Sequence, residues 1–403
     1  MREAFERAIL DNPDDLSAYG AYADWLQEQG DPRGEFIAVQ IALEDEAKSK
    51  ADRDALRKRE AELLAAHERE WLGELAPFLL DGDREVGPHL EHRWRWGFLS
   101  AITVQDLPTA YAQAIATAPA ARLLRELRMN WVQHDREPGD PEPRVPLPPG
   151  VRHHYDYLEL IGAPCLHNLR VFQVGHEEPP EDSWTDCHVA AEGIEHVIAT
   201  MPRIEELHLL CKDYESGPLF ALPNLTHLRV LRIYHLGGFD RNRRYEIALD
   251  TLAANPALAN LTHLLFHPHC AEAGDEDDRD RSYLPLDQVR ALVRSPHLSS
   301  LTHLQLRLSD MGDEGVREIV ASGILKRLRW LDLRHGCVTD EGAGLFAACP
   351  DARNLDRLDL SRNAVTAAGL AVLRAAGINA VASNPLTEQE LASREYLREG
   401  DME

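Results

Sequence analysis

The chain has 403 residues, of which 44% are hydrophobic and 28% are charged, a composition typical of folded proteins rather than disordered ones. The formal net charge of -25 argues against binding to a nucleic-acid backbone, which requires clustered Lys and Arg. No apolar run reaches the roughly 18 residues that span a membrane, and the first ten residues, MREAFERAIL, lack the apolar core of a secretion signal. We therefore expect a cytoplasmic protein with no membrane or nucleic-acid partner.

Residues 1–70 are predicted to form a separate helical module. Apolar residues recur at helical spacing in three segments, which are separated by chain-breaking sequences at 12–15 and 30–32. These positions are Phe5, Ala8 and Ile9, then Leu16, Tyr19, Tyr22, Trp25 and Leu26, then Phe36, Ile37, Gln40, Ile41 and Leu43. A fourth, charged helix is predicted over 51–67, and residues 71–97 connect the module to the next region and begin a cap.

A short apolar phrase, L-x-x-L-x-L, dominates residues 98–380, with Leu, Ile, Val, Met or Phe at its three positions. Its copies begin at Leu99, Leu124, Leu169, Ile204, Leu228, Leu261, Leu301, Leu328 and Leu355. Because side chains alternate between the two faces of a strand, the L-x-L part places two of them on one buried face. Segments with helical spacing lie between the strands, as at Val316, Ile319 and Val320 or at Leu370, Val372 and Leu373.

Neither a strand nor a helix of this kind buries its apolar side alone, so successive units must stack on a shared core. The sequence therefore predicts an α/β leucine-rich repeat solenoid of about nine units, with parallel strands on a concave face and helices on a convex face. Residues 381–403 are predicted to form a C-terminal tail or cap. The helical module at residues 1–70 is predicted to cover the exposed first repeat.

The last two units are the most regular, since Leu331 and Leu358 are 27 residues apart. That length, with the sequence VTDEG opening a helix, resembles the ribonuclease-inhibitor-like class of leucine-rich repeats. Asn363 lies where such repeats have an asparagine that satisfies backbone groups at the bend after the strand. Gly336 occupies the equivalent position one unit earlier, where we expect it to supply backbone freedom.

The helical module resembles the repeat-companion domain, a short bacterial module that precedes repeats of this kind. The matching segments are 12–15 (NPDD), 22–26 (YADWL), 30–37 (GDPRGEFI) and Gln40, followed by HEREWLGEL at 67–75 and WRWGF at 94–98. The resemblance implies a helical module followed by repeats, and it implies no reaction, cofactor or ligand. Asp24, beside Trp25, and the trio of Asp31, Arg33 and Glu35 are the polar residues of the shared pattern. We expect them to cap a helix and form ion pairs around a tight turn, with a docking surface as the alternative.

Insertions lengthen several units, because the spacing between central repeat positions varies from 24 to 45 residues. Four insertions follow strands, at 133–150, 176–188, 236–246 and 267–284. Loops after equivalent strands emerge on the same edge of a solenoid, and that edge is often the binding edge. Neutral surface elaboration is the alternative, since long surface insertions cost little free energy.

Ten outward-facing strand residues are the candidate binding residues. They are Arg128, His208, Arg232, Tyr234, His263, His303, Arg307, Trp330, Arg334 and Arg357. Aromatic and Arg side chains dominate the binding energy of protein interfaces. The favoured hypothesis is therefore a non-enzymatic scaffold that binds a protein or peptide through the concave face and the loop edge. The alternative is a regulatory subunit or substrate adaptor with two separate docking surfaces.

A metal-dependent enzyme is a third hypothesis, which rests on the sequence HPHC, containing His267, His269 and Cys270. No second cluster has a recognisable ligand spacing, and the acidic run at 275–280 lacks the glycine of a calcium loop. Phosphate-binding and nucleophile-elbow motifs are absent from the sequence. The six cysteines are scattered and are predicted to be reduced thiols. We therefore predict no enzymatic activity, no metal and no cofactor.

Overall fold

The structure is a computed structural model that describes residues 1–81, 91–132, 140–175, 189–211, 214–236, 247–269, 284–394 and 396, but not the side chains at 235–236 and 267–269. The chain divides into two compact units. The N-terminal unit comprises Met1–Leu147 and His154–Phe172, and the C-terminal unit comprises Pro148–His153 and Gln173–Glu403. The domain boundaries after residues 70, 97 and 380 remain predictions.

Helices begin the N-terminal unit. They are α1 (Arg2–Asp11), α2 (Leu16–Glu28), α3 (Pro32–Leu43), α4 (Lys50–Leu72) and α5 (Ala76–Leu80). α2 and α3 begin at the predicted chain breaks, where Asp15 and Asp31 each accept a hydrogen bond from the backbone N–H two residues ahead. α4 extends beyond the predicted 51–67, because the buried Trp71 and Leu72 continue it to Gly73.

Two apolar clusters hold these helices together. The first consists of Ile9, Tyr19, Tyr22, Ala23, Leu26, Ile37, Trp96 and Leu123. The second consists of Phe36, Val39, Leu63 and Trp71. Most of the predicted apolar positions are therefore buried. Ala8 and Leu16 were predicted wrongly, since both are exposed and Leu16 only begins the first turn of α2.

The strands of the N-terminal unit start the repeats. They are β1 (Glu91–Arg95), β2 (Phe98–Leu107) and β3 (Glu126–Val132), with α6 (Thr109–Thr117) between β2 and β3. β1 is antiparallel to β2, whereas β2 is parallel to β3 and pairs Ile102 with Leu127. The copy of the phrase that begins at Leu99 is thus a strand in register with the next copy. β4 (Val171–Val174) follows, and the division between the units falls within it.

Strands alternate with helices through the C-terminal unit. The strands are β5 (Glu206–Leu210), β6 (Val230–Leu236), β7 (His263–His269), β8 (His303–Leu306), β9 (Trp330–Asp332), β10 (Arg357–Asp359) and β11 (Ala380–Val381). The helices are α7 (Ile194–Ile198), α8 (Ser216–Phe220), α9 (Leu249–Ala254), α10 (Leu286–Val293), α11 (Gly312–Ser322), α12 (Asp340–Ala348), α13 (Ala367–Ala375) and α14 (Glu388–Ala392).

Every pair from β5 to β11 is parallel, and each strand pairs with the next along the chain. The register aligns the central repeat positions Leu207, Leu231, Leu264, Leu304, Leu331 and Leu358. The predicted fold class, an α/β leucine-rich repeat solenoid with a helical N-terminal region, is therefore confirmed. β11 continues the register at Ala380. The repeat phrase did not predict this strand, because alanine replaces leucine there. Val372, predicted as buried, is 48% exposed on α13.

One backbone conformation recurs after the last four strands. Leu308, His335, Arg362 and Asn384 have φ values of 55°, 55°, 56° and 50°. Each lies four residues after the residue that occupies the central repeat position of its strand. Residues other than glycine rarely adopt this left-handed conformation, so the surrounding repeat must impose it.

Asn363 follows one of these left-handed residues and is fully buried. Its Oδ1 accepts a hydrogen bond from the Val338 N–H at 2.9 Å, and its Nδ2 donates to the carbonyl of Leu333 at 2.7 Å. This is the predicted role. The expectation for Gly336 was wrong, because its φ is not positive. A Cβ atom at Gly336 would lie 2.7 Å from the Asn363 Oδ1, so this glycine is required for space.

The last helices are tied to one another at their first turns. The Asp313 carboxylate accepts hydrogen bonds from the Thr339 backbone N–H at 2.9 Å and from its hydroxyl at 2.6 Å. Asp340 binds Thr366 in the same way, at 2.8 and 2.6 Å. Thr339 and Thr366 are the N-cap residues of α12 and α13. The start of each helix is thus fixed by a carboxylate of the preceding one.

Candidate interaction surface

The ten candidate binding residues all lie on the strands or directly after them, and all are at least partly exposed. The register brings His263, His303, Trp330 and Arg357 into one row across β7–β10. Arg307 and Arg334 follow β8 and β9 at equivalent positions. We call this surface, with Asp332 and Asp359, the β7–β10 face. His208, Arg232 and Tyr234 lie on β5 and β6, whereas Arg128 belongs to the N-terminal unit.

Two imidazole rings stack at one side of the β7–β10 face. The ring centroids of His263 and His303 are 4.0 Å apart, and the rings are inclined by 15°. Trp330 continues the row, with its ring centroid 6.2 Å from that of His303. All three side chains are partly exposed, so together they present a largely aromatic strip to solvent.

A threonine precedes each of these histidines and contacts its imidazole ring. The Thr262 hydroxyl lies 2.9 Å from a backbone carbonyl oxygen and 2.8 Å from the His263 Nδ1. The Thr302 hydroxyl lies 3.2 Å from the Thr262 carbonyl oxygen and 2.9 Å from the His303 Nδ1. Each hydroxyl has a single proton, so it donates either to the carbonyl or to the Nδ1 atom, and in both cases the threonine holds the imidazole in place.

Both histidines favour the neutral form. Burial lowers the pKa of His263 below its ordinary value of 6.5, and the neighbouring His303 lowers it further. Burial likewise lowers the pKa of His303, although Asp356 opposes the shift. At neutral pH the strip therefore carries no charge.

A row of guanidinium groups borders the strip. Asp332 is fully buried, and its carboxylate accepts hydrogen bonds from the Arg307 Nε at 3.1 Å and from the Arg334 Nη2 at 2.7 Å. Asp359 is 2% exposed and accepts a hydrogen bond from the Arg357 Nη2 at 2.7 Å. The Arg334 Nε lies 3.9 Å from the Asp359 Oδ2, which links the two pairs.

The two carboxylates hold the guanidinium groups in place. Alternation along the strands predicts that Asp332 and Asp359 face solvent. That prediction was wrong, because the longer Arg side chains of neighbouring positions cover both carboxylates. Three guanidinium groups share two carboxylates, so the row has an excess of one positive charge. Burial raises the pKa of Asp332 to about 6 in spite of the stabilising charge of Arg307. Acidification below that value would release the partners of Asp332.

The other candidate residues form local contacts. On β6, the Arg232 Nη2 donates to the Tyr234 hydroxyl at 2.7 Å, and its guanidinium carbon lies 5.2 Å from the centroid of that ring. The His208 Nε2 lies 3.4 Å from a Glu206 carboxylate oxygen on β5. The Arg128 Nε binds the Glu126 carboxylate at 2.5 Å.

Several predicted features lie outside the described residues. These are most of the insertions at 133–150, 176–188, 236–246 and 267–284, and the side chains of His267, His269 and Cys270. In the described part of the chain, no group of three or more His, Cys, Asp or Glu side chains could hold a metal ion. The same part has no helix long and apolar enough to cross a bilayer.

A leucine-rich repeat family model matches residues 297–320, 328–347 and 352–373, which include β8, β9 and β10. The chain contains leucine-rich repeats. The matched repeats carry the β7–β10 face from His303 onwards. No curated protein matches this leucine-rich repeat chain by sequence.

Solved structures are similar to the chain at low identity. A protein from Bacteroides fragilis is 15% identical, with 70% of this chain and 73% of that chain covered and a TM-score of 0.43. An internalin from Listeria monocytogenes is 16% identical, with coverage of 71% and 72% and a TM-score of 0.31. A leucine-rich repeat protein from Leptospira interrogans is 14% identical, with coverage of 70% and 88% and a TM-score of 0.21.

Proposed function

We propose that this leucine-rich repeat protein is a non-enzymatic scaffold that binds a protein or peptide. The proposed binding surface is the strand face together with the loop edge that the repeat spacing predicts. The observation that supports this proposal most is the β7–β10 face, where stacked imidazoles and Trp330 adjoin a row of guanidinium groups above buried carboxylates. Trp and Arg are enriched among the residues that dominate interface energetics.

The chemistry of the β7–β10 face favours an acidic segment that also carries an apolar side chain. An acidic side chain would be attracted by the excess positive charge of Arg307, Arg334 and Arg357. An apolar side chain would cover the Trp330 ring and the His303 imidazole. Because the carboxylates already hold the guanidinium groups in place, binding would cost less side-chain entropy than it would for free Arg residues.

We place this scaffold in the bacterial cytoplasm. Among the described cysteines, Cys165, Cys337 and Cys349 are free thiols, which agrees with a reducing compartment. Burial raises the pKa of the Cys165 thiol to about 12 and also raises the pKa of the Cys337 thiol. Neither residue is therefore a thiolate nucleophile at neutral pH, which agrees with a binding role.

Affinity purification from the native cell tests the proposal. The bait is the full chain, compared with the triple variant Trp330→Ala, Tyr234→Ala, Arg334→Ala. A matched control is Val372→Ala with Arg374→Ala, which changes exposed positions on α13, away from the strands. We expect a protein that is retained by the wild type and the control and lost with the triple variant. Equal retention by all three baits would contradict the proposed surface.

A further inference from the structure

A cavity of about 130 Å³ lies within the N-terminal unit, away from the strand residues considered above. Its walls come from α1, α3, the end of α4, β2 and the turn before β3. The lining residues are Glu6, Leu10, Arg33, Trp71, Phe98, Pro119, Ala120, Arg122 and Leu123. For comparison, a cavity of about 150 Å³ is large enough to bind benzene. The space therefore suits a small ligand with an apolar body.

Arg33 forms the polar wall of this cavity. Its guanidinium carbon lies 5.1 Å from the Phe98 ring centroid and 5.8 Å from that of Trp71, so it faces two aromatic rings that also line the cavity. Its Nε donates to the Gly97 carbonyl at 3.1 Å. Within the described residues, its two terminal nitrogens have no hydrogen-bond partner and no carboxylate within 4.0 Å.

The other charged residues of the same turn are already paired, which makes Arg33 unusual. The Asp31 carboxylate binds Arg2 at 2.5 Å and also caps α3. The Glu35 carboxylate binds Arg59 through both oxygens at 2.7 Å. The sequence pattern predicted ion pairing for all three members of the Asp31, Arg33 and Glu35 group. Arg33 departs from that prediction because it points into the unit rather than along its surface.

The net charge of the cavity wall is positive. Arg122 lines the cavity, is exposed, and has no ion pair among the described residues. The one carboxylate of the lining, Glu6, accepts a hydrogen bond from the Tyr22 hydroxyl at 2.9 Å. Burial lowers the pKa of Arg33 from its ordinary value, yet a guanidinium remains charged at neutral pH. Asp31 and Glu6 stabilise the charge of Arg33 only from a distance, and a half-buried cation without a directly bound carboxylate is costly, so a bound anion would be stabilising.

We propose that this cavity is a binding site for a small carboxylate with an apolar body. The carboxylate binds the terminal nitrogens of Arg33, with Arg122 at the entrance, and the apolar body lies against Trp71 and Phe98. The size limits the body to about that of a phenyl or isobutyl group. This chemistry is supplied either by a free small acid or by the C-terminal carboxylate of a peptide. The site goes beyond the proposed function of the strand face and does not depend on it.

Isothermal titration of the full chain with benzoate and with its neutral analogue benzamide tests the site. We expect benzoate to bind with a dissociation constant on the order of 0.1 to 1 mM and benzamide to bind at least about tenfold more weakly. A peptide ending in a free leucine carboxylate, compared with the same peptide amidated, distinguishes the two sources of the ligand. Tighter binding of the free-carboxylate peptide than of benzoate assigns the site to peptide termini, and the reverse assigns it to small acids.

Variants that preserve the fold make the test decisive, since Arg33 also anchors Gly97 and its replacement could unfold the unit. Ala120→Leu fills the cavity without removing a hydrogen bond and should abolish benzoate binding. Arg122→Gln should weaken it about threefold to tenfold. Arg7→Gln removes the same charge from an exposed position on α1 and should leave it unchanged. Equal binding of benzoate and benzamide, unchanged binding by Ala120→Leu, or no binding at millimolar concentrations would overturn the proposal.

Discussion

The N-terminal helices and the last repeats hold their backbones in place by different means. In the N-terminal unit, the Gln40 Oε1 accepts a hydrogen bond from the Gly97 N–H at 2.7 Å, a contact that occurs once and joins residues 57 positions apart. In the last repeats, the bonds from Asp313 and Asp340 to the following threonines repeat every 27 residues. A substitution that breaks a contact in the N-terminal helices should therefore have no equivalent elsewhere. Substitutions at the repeated contacts should lower stability by similar amounts from repeat to repeat.

Gly34 in α3 provides the most severe way to break the first region. A Cβ atom there would lie 2.6 Å from the Ala23 carbonyl oxygen and 2.7 Å from the Gln27 nitrogen, both of them backbone atoms of α2. Gly34→Ala should therefore separate α2 from α3 and destabilise the N-terminal unit by about 3 kcal/mol. Thermal unfolding, followed with hydrogen exchange over α1–α3, measures the effect.

Gly20 in α2 is the matched control for Gly34. No heavy atom lies within 4 Å of the position that its Cβ would occupy. Gly20→Ala should therefore stabilise the helix by about 0.5 to 1 kcal/mol, because alanine loses less backbone entropy on folding. If both substitutions lowered the melting temperature equally, close contact between α2 and α3 would not be what holds this region together.

Asn363 gives the largest expected effect in the repeats. Asn363→Ala would leave the Val338 N–H and the Leu333 carbonyl without their partner in a fully buried position. The expected loss is about 2 kcal/mol in the free energy of unfolding, measured by chemical denaturation. Asn354→Ala is the control, since Asn354 is exposed and the only hydrogen bond of its side chain among the described residues is a long one, 3.5 Å to the Leu325 carbonyl. If Asn354→Ala lowered the free energy of unfolding by a comparable amount, the loss at Asn363 would reflect a general effect of substitution in a helix or loop.

The role of Asn363 also shows what the sequence could predict. The repeat phrase identified the central strand residues, and the position of Asn363 after its strand predicted bonds to backbone groups, although the partners Val338 and Leu333 belong to the preceding unit. The burial of Asp332 and Asp359 did not follow from alternation along a strand, because the covering Arg residues come from neighbouring positions and strands. Local patterns predict which face a residue occupies, but not how far its neighbours reach across it.

The cavity beside Arg33 was still less accessible to prediction. Its aromatic walls, Trp71 and Phe98, lie 38 and 65 residues further along the chain. The companion-like motif contains Arg33, and the segments HEREWLGEL and WRWGF contain the two aromatic residues. The only signal in the sequence was that these three segments occur together. It indicated that Arg33, Trp71 and Phe98 lie near one another, but not that Arg33 has no carboxylate partner among the described residues. That property depends on the three-dimensional positions of Asp31 and Glu35.

Asp156 tests whether polar groups that occur once, rather than in every repeat, stabilise the N-terminal unit. Asp156 is 6% exposed and accepts a hydrogen bond from the Thr109 hydroxyl, and burial raises its pKa from 3.8 to about 6. Because the folded state binds this proton more tightly, stability due to Asp156 is greatest below about pH 4 and is lost as the pH rises to about 6. Asp156→Asn should remove that loss, so the variant should be more stable than the wild type by about 2 kcal/mol at pH 7.5.

The difference between wild type and Asp156→Asn is best measured by thermal unfolding across pH 4 to 7.5, because other carboxylates contribute equally to both proteins. The gap between the two melting temperatures should open as the pH rises through about 6 and close towards pH 4. A gap that stays constant with pH would mean that the charged form of Asp156 is not disfavoured by burial.

The smallest expected effect tests the repeating character of the last units. Asp340→Ala removes two hydrogen bonds to Thr366, the N-cap of α13, and should cost about 1 kcal/mol. Glu341→Ala is the control, since Glu341 lies in the same first turn of α12 but makes only an exposed ion pair, with Arg317. Asp313→Ala should cost at least as much as Asp340→Ala, because Asp313 binds Thr339 through the same two bonds and also accepts from the Gly342 N–H. A neighbour-to-neighbour architecture requires similar losses of stability at both sites, with hydrogen exchange increased only at the adjoining helices. A loss spread over the whole C-terminal unit would show that these repeats unfold as a single block.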